Sequence, residues 1–127
     1  MLGQGDLLTT PLQVGQMMNL VASSGKSFIP HLVQPDEINP LNLQFKSSTW
    51  NFIQSSLMRV VNEVHGTGKN AQISKGGTVY GKTGTAQNPH GEPHSWFSGF
   101  VVTDSGHTMT LTIIVENGGK GSATAAP

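Results

Sequence analysis

The chain has 127 residues, enough for one domain or for part of a larger one. Its seven basic and seven acidic residues cancel, so no charge excess indicates a nucleic-acid or membrane-surface partner, and the absence of cysteine excludes disulfides and thiolate metal sites. No apolar run approaches the ~18 residues of a membrane span, and the first residues lack the pattern of a signal peptide, so we expect any targeting segment to lie elsewhere. Apolar residues make up 35%, which is modest material for a self-sufficient core.

The first half of the chain predicts two helices. Thr10 before Pro11 is typical of a helix start, because a threonine caps free N–H groups and proline has no N–H to lose. Gly25 is predicted to end this helix in a left-handed conformation. Residues 26–46 predict an extended connection, since they contain three prolines. A second helix is then predicted, capped by Ser47 or Ser48 and stopped by the glycines of residues 66–68.

The second half predicts three strands, at about 78–87, 95–102 and 108–116. A polar loop at 69–77 precedes them, and turns at 88–93 and 104–106 join them. The small residues of the tail, 118–127, predict a flexible segment. The fold class expected is therefore α+β, with two helices followed by a three-stranded antiparallel meander.

Residues 76–83 (GGTVYGKT) fit the pattern of a phosphate-binding loop, Gly-x4-Gly-Lys-Ser/Thr. That site needs a helix directly after the pattern, because the helix N-terminus binds the anion. Gly84 and Pro89 follow closely here, and a helix does not run through them. Nucleotide binding therefore stays open as a function of these residues, but it has the least support of the alternatives.

Two further patterns carry little weight. Ser23 and Lys26 have the Ser-x-x-Lys spacing of a serine nucleophile and its lysine, but Ser23 falls at the predicted end of the first helix rather than at a helix start. We interpret it as a helix terminus with a solvated lysine. His90 and His94 are spaced as a metal pair could be, yet they lie on a Pro/Gly loop that we interpret as solvated, so no metal site is predicted.

Residues 81–87 (GKTGTAQ), followed by 94–100 (HSWFSGF), resemble the Lys-Thr-Gly signature and the next strand of the penicillin-binding proteins and serine β-lactamases. The likeness extends over nearly the whole chain, in the family's order, through segments 3–13, 19–22, 30–33, 58–61, 66–68, 115–119 and 125–127. It is greatest to the class B, elongation-type group known as penicillin-binding protein 2, and residues 87–91 (QNPHG) are similar to the Bacteroidetes branch of that group.

The resemblance implies that residues 1–127 form the C-terminal portion of a single transpeptidase domain with a partial penicillin-binding protein/serine β-lactamase-like fold. In the family, the Ser-x-x-Lys and Ser-x-Asn signatures precede this region, so the nucleophile is absent from the chain. The parent enzyme implied is a peptidoglycan D,D-transpeptidase, which cross-links stem peptides through an acyl-enzyme and binds β-lactams. The isolated chain is expected to be inactive.

The resemblance also implies roles for individual residues. Lys82 supplies positive charge beside the proton-transfer groups and the substrate carboxylate, which the hydroxyls of Thr83 and Thr85 help to hold. Gly84 lets an extended peptide lie against the strand edge. The backbone N–H of Thr85 matches one of two oxyanion-hole donors. Trp96 is assigned to the wall of the substrate and β-lactam cleft.

The partners implied are the stem peptide, β-lactams and a glycan-polymerising membrane protein of the elongation machinery, with no nucleic acid. No metal or organic cofactor is expected for serine acyl transfer. The parent would be anchored in the inner membrane with a periplasmic catalytic domain. Two alternatives stay open: a non-catalytic binding or assembly remnant of the same fold, and the nucleotide site at 76–83. Because the family pairs the last strand with strands from earlier sequence, we also expect self-association through an exposed edge at 108–116.

Overall fold

The computed structural model describes residues 5, 7–34, 36–38 and 40–127. Gly3, Gln4 and Asp6 of the segment at 3–13, and Pro35 of the predicted connection, lie outside the described residues. The elements in chain order are α1 (Pro11–Ala22), β1 (Lys26–Phe28), β2 (Pro40–Asn42), α2 (Ser47–Asn62), a 3-10 turn (Lys69–Ala71), β3 (Gly77–Ala86), β4 (His94–Thr103), β5 (Thr108–Val115) and α3 (Gly121–Thr124).

The three long strands form one antiparallel sheet in the order β3-β4-β5. The register of β3 against β4 is continuous from the Gly77–Thr103 pair to the Ala86–His94 pair. The predicted meander is therefore confirmed, and its strand boundaries were predicted to within one residue.

Local signals at both ends of α1 have the predicted effect. Thr10 Oγ1 accepts a hydrogen bond from the backbone N–H of Gln13 at 3.3 Å, and Gln13 Oε1 accepts one from the backbone N–H of Thr10 at 2.8 Å. This reciprocal pair is a capping box. Gly25 follows the helix with φ +94°, and a Cβ there would lie 2.0 Å from the carbonyl oxygen of Leu43. Glycine is therefore required at this position.

The predicted cap of α2 is wrong. The N-cap is Lys46, and Ser47 is already the first helical residue. Lys46 makes no side-chain cap, but its carbonyl oxygen accepts the first helical hydrogen bond from the N–H of Thr49 at 2.9 Å. Buried Trp50 packs against Val21 and Phe100. The start of α2 is thus fixed by tertiary packing rather than by a cap.

Two segments predicted to be irregular are ordered. Residues 26–46 are not a simple extended connection, because β1 pairs with β2 in an antiparallel register that joins Lys26 to Asn42. The tail predicted to be flexible forms α3 and packs against the sheet. Its small residues allow this close approach: a Cβ on Gly121 would lie 2.2 Å from the carbonyl oxygen of Gly84.

Each face of the sheet carries its own apolar cluster. Phe100 lies with Trp50 and Val21 in one cluster. Phe97 lies with Val61 in the other, where Ala125 and Ala126 of the tail cover it. Phe97 and Phe100 are three residues apart on β4, so their side chains point to opposite faces. Helix α2 contributes to both clusters because it crosses the β3 side of the sheet.

The cluster around Phe97 predicts a large stability difference between two phenylalanine substitutions. Phe97→Ala is expected to lower the free energy of unfolding by about 3–5 kcal/mol, because the ring is 3% exposed and its removal leaves a cavity. Phe52→Ala is the matched control, with a ring that is 73% exposed and an expected effect within ~0.5 kcal/mol. Urea unfolding of both variants measures this. Equal losses would contradict the packing described.

The edge strand β5 predicts association of the isolated chain. Among the described residues, β5 pairs with β4 on one side and no strand pairs with its other side. Leu111 of this strand is 52% exposed. We expect sedimentation velocity to show oligomers or a partly folded species, and Leu111→Lys to reduce association because a charge blocks edge pairing. Leu32→Lys, at an exposed position outside the sheet, is the control. A compact monomer that unfolds cooperatively would contradict the prediction.

Candidate functional site

Helix α2 covers only the first half of the outer edge of β3. The side-chain amide of Asn62 donates hydrogen bonds to the carbonyl oxygens of Met58, in its own helix, and Val79, in β3, both at 2.8 Å. Alternate residues of a strand direct their backbone groups to the same edge, so the odd-numbered residues of β3 point away from β4. Helix α2 ends at Asn62, and among the described residues no strand pairs with the outer edge of β3. This open half contains the Lys-Thr-Gly sequence.

The ammonium of Lys82 lies at this open edge. Its Nζ donates a hydrogen bond to the carbonyl oxygen of Thr83 at 2.8 Å, and that carbonyl is one of the outward-pointing groups. Lys82 is exposed and also lines a cleft beside the C-terminal end of α2. A positive charge is therefore available to an anion that approaches along the edge.

Thr83 and Thr85 point to the face of the sheet opposite to Lys82, since side chains alternate along a strand. Thr83 Oγ1 donates a hydrogen bond to Thr67 Oγ1 at 3.0 Å. Thr85 Oγ1 accepts one from the backbone N–H of Gly121 at 3.2 Å. Both hydroxyls are thus oriented by segments that flank the strand, the loop after α2 and the start of α3.

Gly84 packs closely against the neighbouring strand on the other face. It pairs with Trp96 across the sheet, and a Cβ at Gly84 would lie 3.1 Å from the Cβ of Trp96. Trp96 is half-buried and lies on the same face as Lys82. Strands β3 and β4 therefore bring together the five residues predicted for the site, with the side chains of Lys82 and Trp96 on one face and those of Thr83 and Thr85 on the other.

The cleft beside Lys82 has a volume of about 440 Å³ and holds several charged groups that the sequence did not single out. Arg59 Nε donates to Glu63 Oε1 at 2.6 Å, and this hydrogen bond, with the attraction between the two charges, raises the pKa of Arg59 above its ordinary value. His65 and Thr67 line the same cleft. The only sequence signal near Thr67 is the pair of glycines at positions 66 and 68. They indicate a turn, but they do not indicate that Thr67 contacts Thr83.

The Ser-x-x-Lys spacing at Ser23 does not create a nucleophile here. Ser23 is the C-cap of α1, and its hydroxyl donates to the carbonyl oxygen of Asn19 at 2.7 Å. Lys26 already belongs to β1. The interpretation of Ser23 as a helix terminus is confirmed.

The phosphate-loop interpretation of residues 76–83 is wrong. β3 runs without interruption from Gly77 to Ala86, through Lys82 and Thr83. The helix N-terminus that such a site needs is replaced by a strand.

The histidine pair of the β3–β4 loop does not form a cluster with acidic groups. No group of three or more His, Cys, Asp or Glu residues that could hold a metal ion occurs within the described ranges. His94 Nδ1 instead accepts a hydrogen bond from the backbone N–H of Asn117 at 3.0 Å and so links the loop to the turn after β5. In the described part of the chain, none of the helices combines the length and hydropathy that a membrane crossing requires.

Similar proteins agree with this arrangement. Residues 1–127 match the family described as the penicillin binding protein transpeptidase domain. The peptidoglycan D,D-transpeptidase MrdA of Haemophilus influenzae is 31% identical over 99% of the chain and 23% of its own length. The crystal structure of Pseudomonas aeruginosa PBP2 in complex with WCK 5153 is similar with a TM-score of 0.81 and 30% sequence identity. The match covers 98% of the chain and 28% of the length of that PBP2 chain.

A second solved structure is the complex of PBP2 with MreC from Helicobacter pylori, with a TM-score of 0.79 and 31% identity. The match covers 94% of the chain and 23% of that PBP2 chain. The chain thus spans about a quarter of the length of these relatives. Because the family matches over all 127 residues, the chain belongs to the penicillin-binding protein transpeptidase domain family and is similar to the PBP2 group within it.

Proposed function

We propose that residues 1–127 are the C-terminal portion of a single peptidoglycan D,D-transpeptidase domain and form the carboxylate-binding wall of its active site. The observation that carries the proposal is the exposed Lys82 of β3, which lines the cleft beside the end of α2 and whose ammonium donates to the outward-pointing carbonyl of Thr83. The family membership and the name of the Haemophilus relative support the reaction class.

In the proposed reaction, a serine from another part of the parent attacks the carbonyl of the penultimate D-Ala of a stem peptide. The terminal D-Ala leaves, and an amine of a neighbouring strand takes the acyl group from the serine. β-Lactams acylate the same serine. This chemistry proceeds by nucleophilic catalysis without a metal or an organic cofactor.

The chain's own residues would bind the peptide and stabilise charge. An extended peptide can add to the open edge of β3 as a further strand, with Gly84 permitting close approach. Lys82, Thr83 and Thr85 would hold the carboxylate, and Trp96 would contribute to the cleft wall. Thr85 and Thr83 are two residues apart on β3, so the backbone N–H of Thr85 points to the same outer edge as the carbonyl of Thr83. An oxyanion donor must lie at this edge. Loss of one such donor typically lowers the rate by about 10²–10³.

The partners and location proposed belong to the parent protein. The Helicobacter relative is in complex with MreC, which supports an assembly with other proteins of cell elongation. We extend this to a glycan-polymerising membrane partner. The parent would be anchored in the inner membrane with the transpeptidase domain on the periplasmic side.

Removal of the Lys82 charge tests the proposed site. In the full-length parent, Lys82→Ala is expected to lower the rate of acylation by a fluorescent penicillin at least about 100-fold, because a charged hydrogen-bond donor and its field are lost. Lys75→Ala, which removes an exposed lysine from the loop before β3, is the matched control. Unchanged labelling of a folded Lys82→Ala variant would refute the assignment. Binding of stem peptide without any acylation of the unchanged parent would favour the non-catalytic alternative.

The isolated 127-residue chain is expected to form no penicilloyl adduct, because its one Ser-x-x-Lys pair is tied into the end of α1. Intact-mass spectrometry after incubation with excess benzylpenicillin measures this on a sample shown to be folded. Addition of a polypeptide carrying the two earlier signatures is expected to restore acylation. An adduct that disappears in Ser23→Ala would show that the chain carries its own nucleophile.

A further inference from the structure

The loop between β3 and β4, residues 87–93, lies against the turn that follows β5, residues 116–120. The side-chain amide of Asn88 donates a hydrogen bond to Asn117 Oδ1 at 2.8 Å. A Cβ on Gly91 would lie 3.0 Å from the same oxygen. The loop and the turn are therefore in close contact beyond the end of β3.

Two further hydrogen bonds join the turn to the last residue of the loop and the first residue of β4. The backbone N–H of Gly119 donates to the carbonyl oxygen of Pro93 at 2.8 Å. The backbone N–H of Asn117 donates to Nδ1 of His94 at 3.0 Å. Asn117 has a φ of +54°, in the left-handed region that asparagine enters more readily than most residues. The bond from Asn117 to His94, called the latch, thus fastens a tight turn to the start of a strand.

The latch requires the neutral imidazole of His94. A backbone N–H only donates, so Nδ1 supplies the lone pair and the ring hydrogen lies on Nε2. A protonated imidazole carries a hydrogen on both nitrogens and accepts no hydrogen bond. Histidine is the side chain whose charge ordinarily changes between about pH 5 and 8. The opened latch binds one more proton than the closed latch, so acid favours opening.

Two other histidine contacts are compatible with a protonated ring. Nδ1 of His31 lies 3.2 Å from the carbonyl oxygen of Ile29, which is an acceptor, so this nitrogen donates. Nδ1 of His107 lies 2.9 Å from the hydroxyl of Ser105, which can accept as well as donate. Of the histidines in the described part of the chain, His94 is the one whose ring accepts from a backbone N–H.

Neighbouring charges do not stabilise a protonated His94 in the closed arrangement. The titratable and charged groups on the segments packed against His94 are His90, Glu92, Glu116, Lys120 and, on β3, Lys82. β5 and α3 carry no charged or titratable residue. The ion pair found among the described residues joins Arg59 to Glu63, so no carboxylate is paired with the ring of His94.

We propose that His94 is a positioning residue that makes the end of β3 sensitive to pH: its neutral ring holds the turn after β5, and protonation releases it. The turn leads directly into α3, where the backbone N–H of Gly121 donates to Thr85 Oγ1 at 3.2 Å. Release of the turn therefore loosens a segment that contacts the Lys-Thr-Gly strand. The latch itself follows from the fold, whereas its effect on acylation rests on the proposed function.

Backbone hydrogen–deuterium exchange in residues 116–120 tests the latch in the full-length parent. Between about pH 8 and about pH 5, after correction for intrinsic rates, protection of this segment is expected to fall about fivefold, the effect of one lost hydrogen bond. His94→Asn supplies a side-chain oxygen that accepts and does not titrate, so it is expected to keep protection at both pH values. His94→Leu has no acceptor and is expected to show the low protection at both.

His90→Asn is the matched control, because it removes an exposed histidine of the same loop and is expected to leave the loss in acid unchanged. Equal behaviour of His94→Asn and the unchanged protein, whether both keep protection in acid or both lose it, would overturn the inference. This comparison decides even where His94→Leu is unstable, because asparagine retains the acceptor.

Acylation by benzylpenicillin tests whether the release reaches the site. The rate constant of His94→Asn relative to the unchanged protein is expected to rise about threefold between about pH 8 and about pH 5, because the asparagine keeps the turn closed. A ratio that does not change with pH would overturn the coupling to β3. No acylation at any pH would overturn the proposed function itself, and the exchange measurement would still decide on the latch.

Discussion

The site depends on where α2 stops along β3. The Asn62 amide joins the last turn of the helix to the carbonyl of Val79, so the first half of the strand edge is satisfied by the helix. The chain then turns sharply through Gly66, where a side chain would collide with the carbonyl of Val60. Helix α2 has already ended at Asn62, and the turn at Gly66 leads the chain on toward β3, where Lys82 stays exposed.

Close packing of small residues links the core to the same edge. Phe97 lies over Gly81, where an added Cβ would be 2.4 Å from the ring. Gly121 lies against the backbone at Gly84, and its N–H donates to Thr85 Oγ1. The tail that buries Phe97 thus also orients a hydroxyl of the proposed site. A substitution that enlarges one of these glycines would disturb the packing and the strand edge together.

The extent to which the sequence predicts this structure follows the range of the interactions. Helix α1 and the meander are accurately predicted because their caps, turns and alternation are local. The start of α2 is missed because buried Trp50 determines it, and the ordered tail is missed because small residues are typical of both flexible loops and tight contacts. Thr67 as a partner of Thr83 is missed for the same reason, since their contact joins residues sixteen positions apart. The Lys-Thr-Gly motif identifies the strand but not the groups that orient it.

The alternation of β3 restricts how a ligand can use these residues. Lys82 and Trp96 lie on one face, whereas Thr83 and Thr85 lie on the other. A ligand resting on either face would reach only one set. A ligand that lies along the edge can contact the lysine from one side and a hydroxyl from the other, while its backbone pairs with the strand. The Lys82 ammonium already donates to the carbonyl of Thr83 at that edge, and this oxygen keeps a second lone pair for an incoming N–H. A peptide that pairs with the edge would therefore lie directly beside the ammonium, so strand addition and anion binding would use adjacent groups of β3.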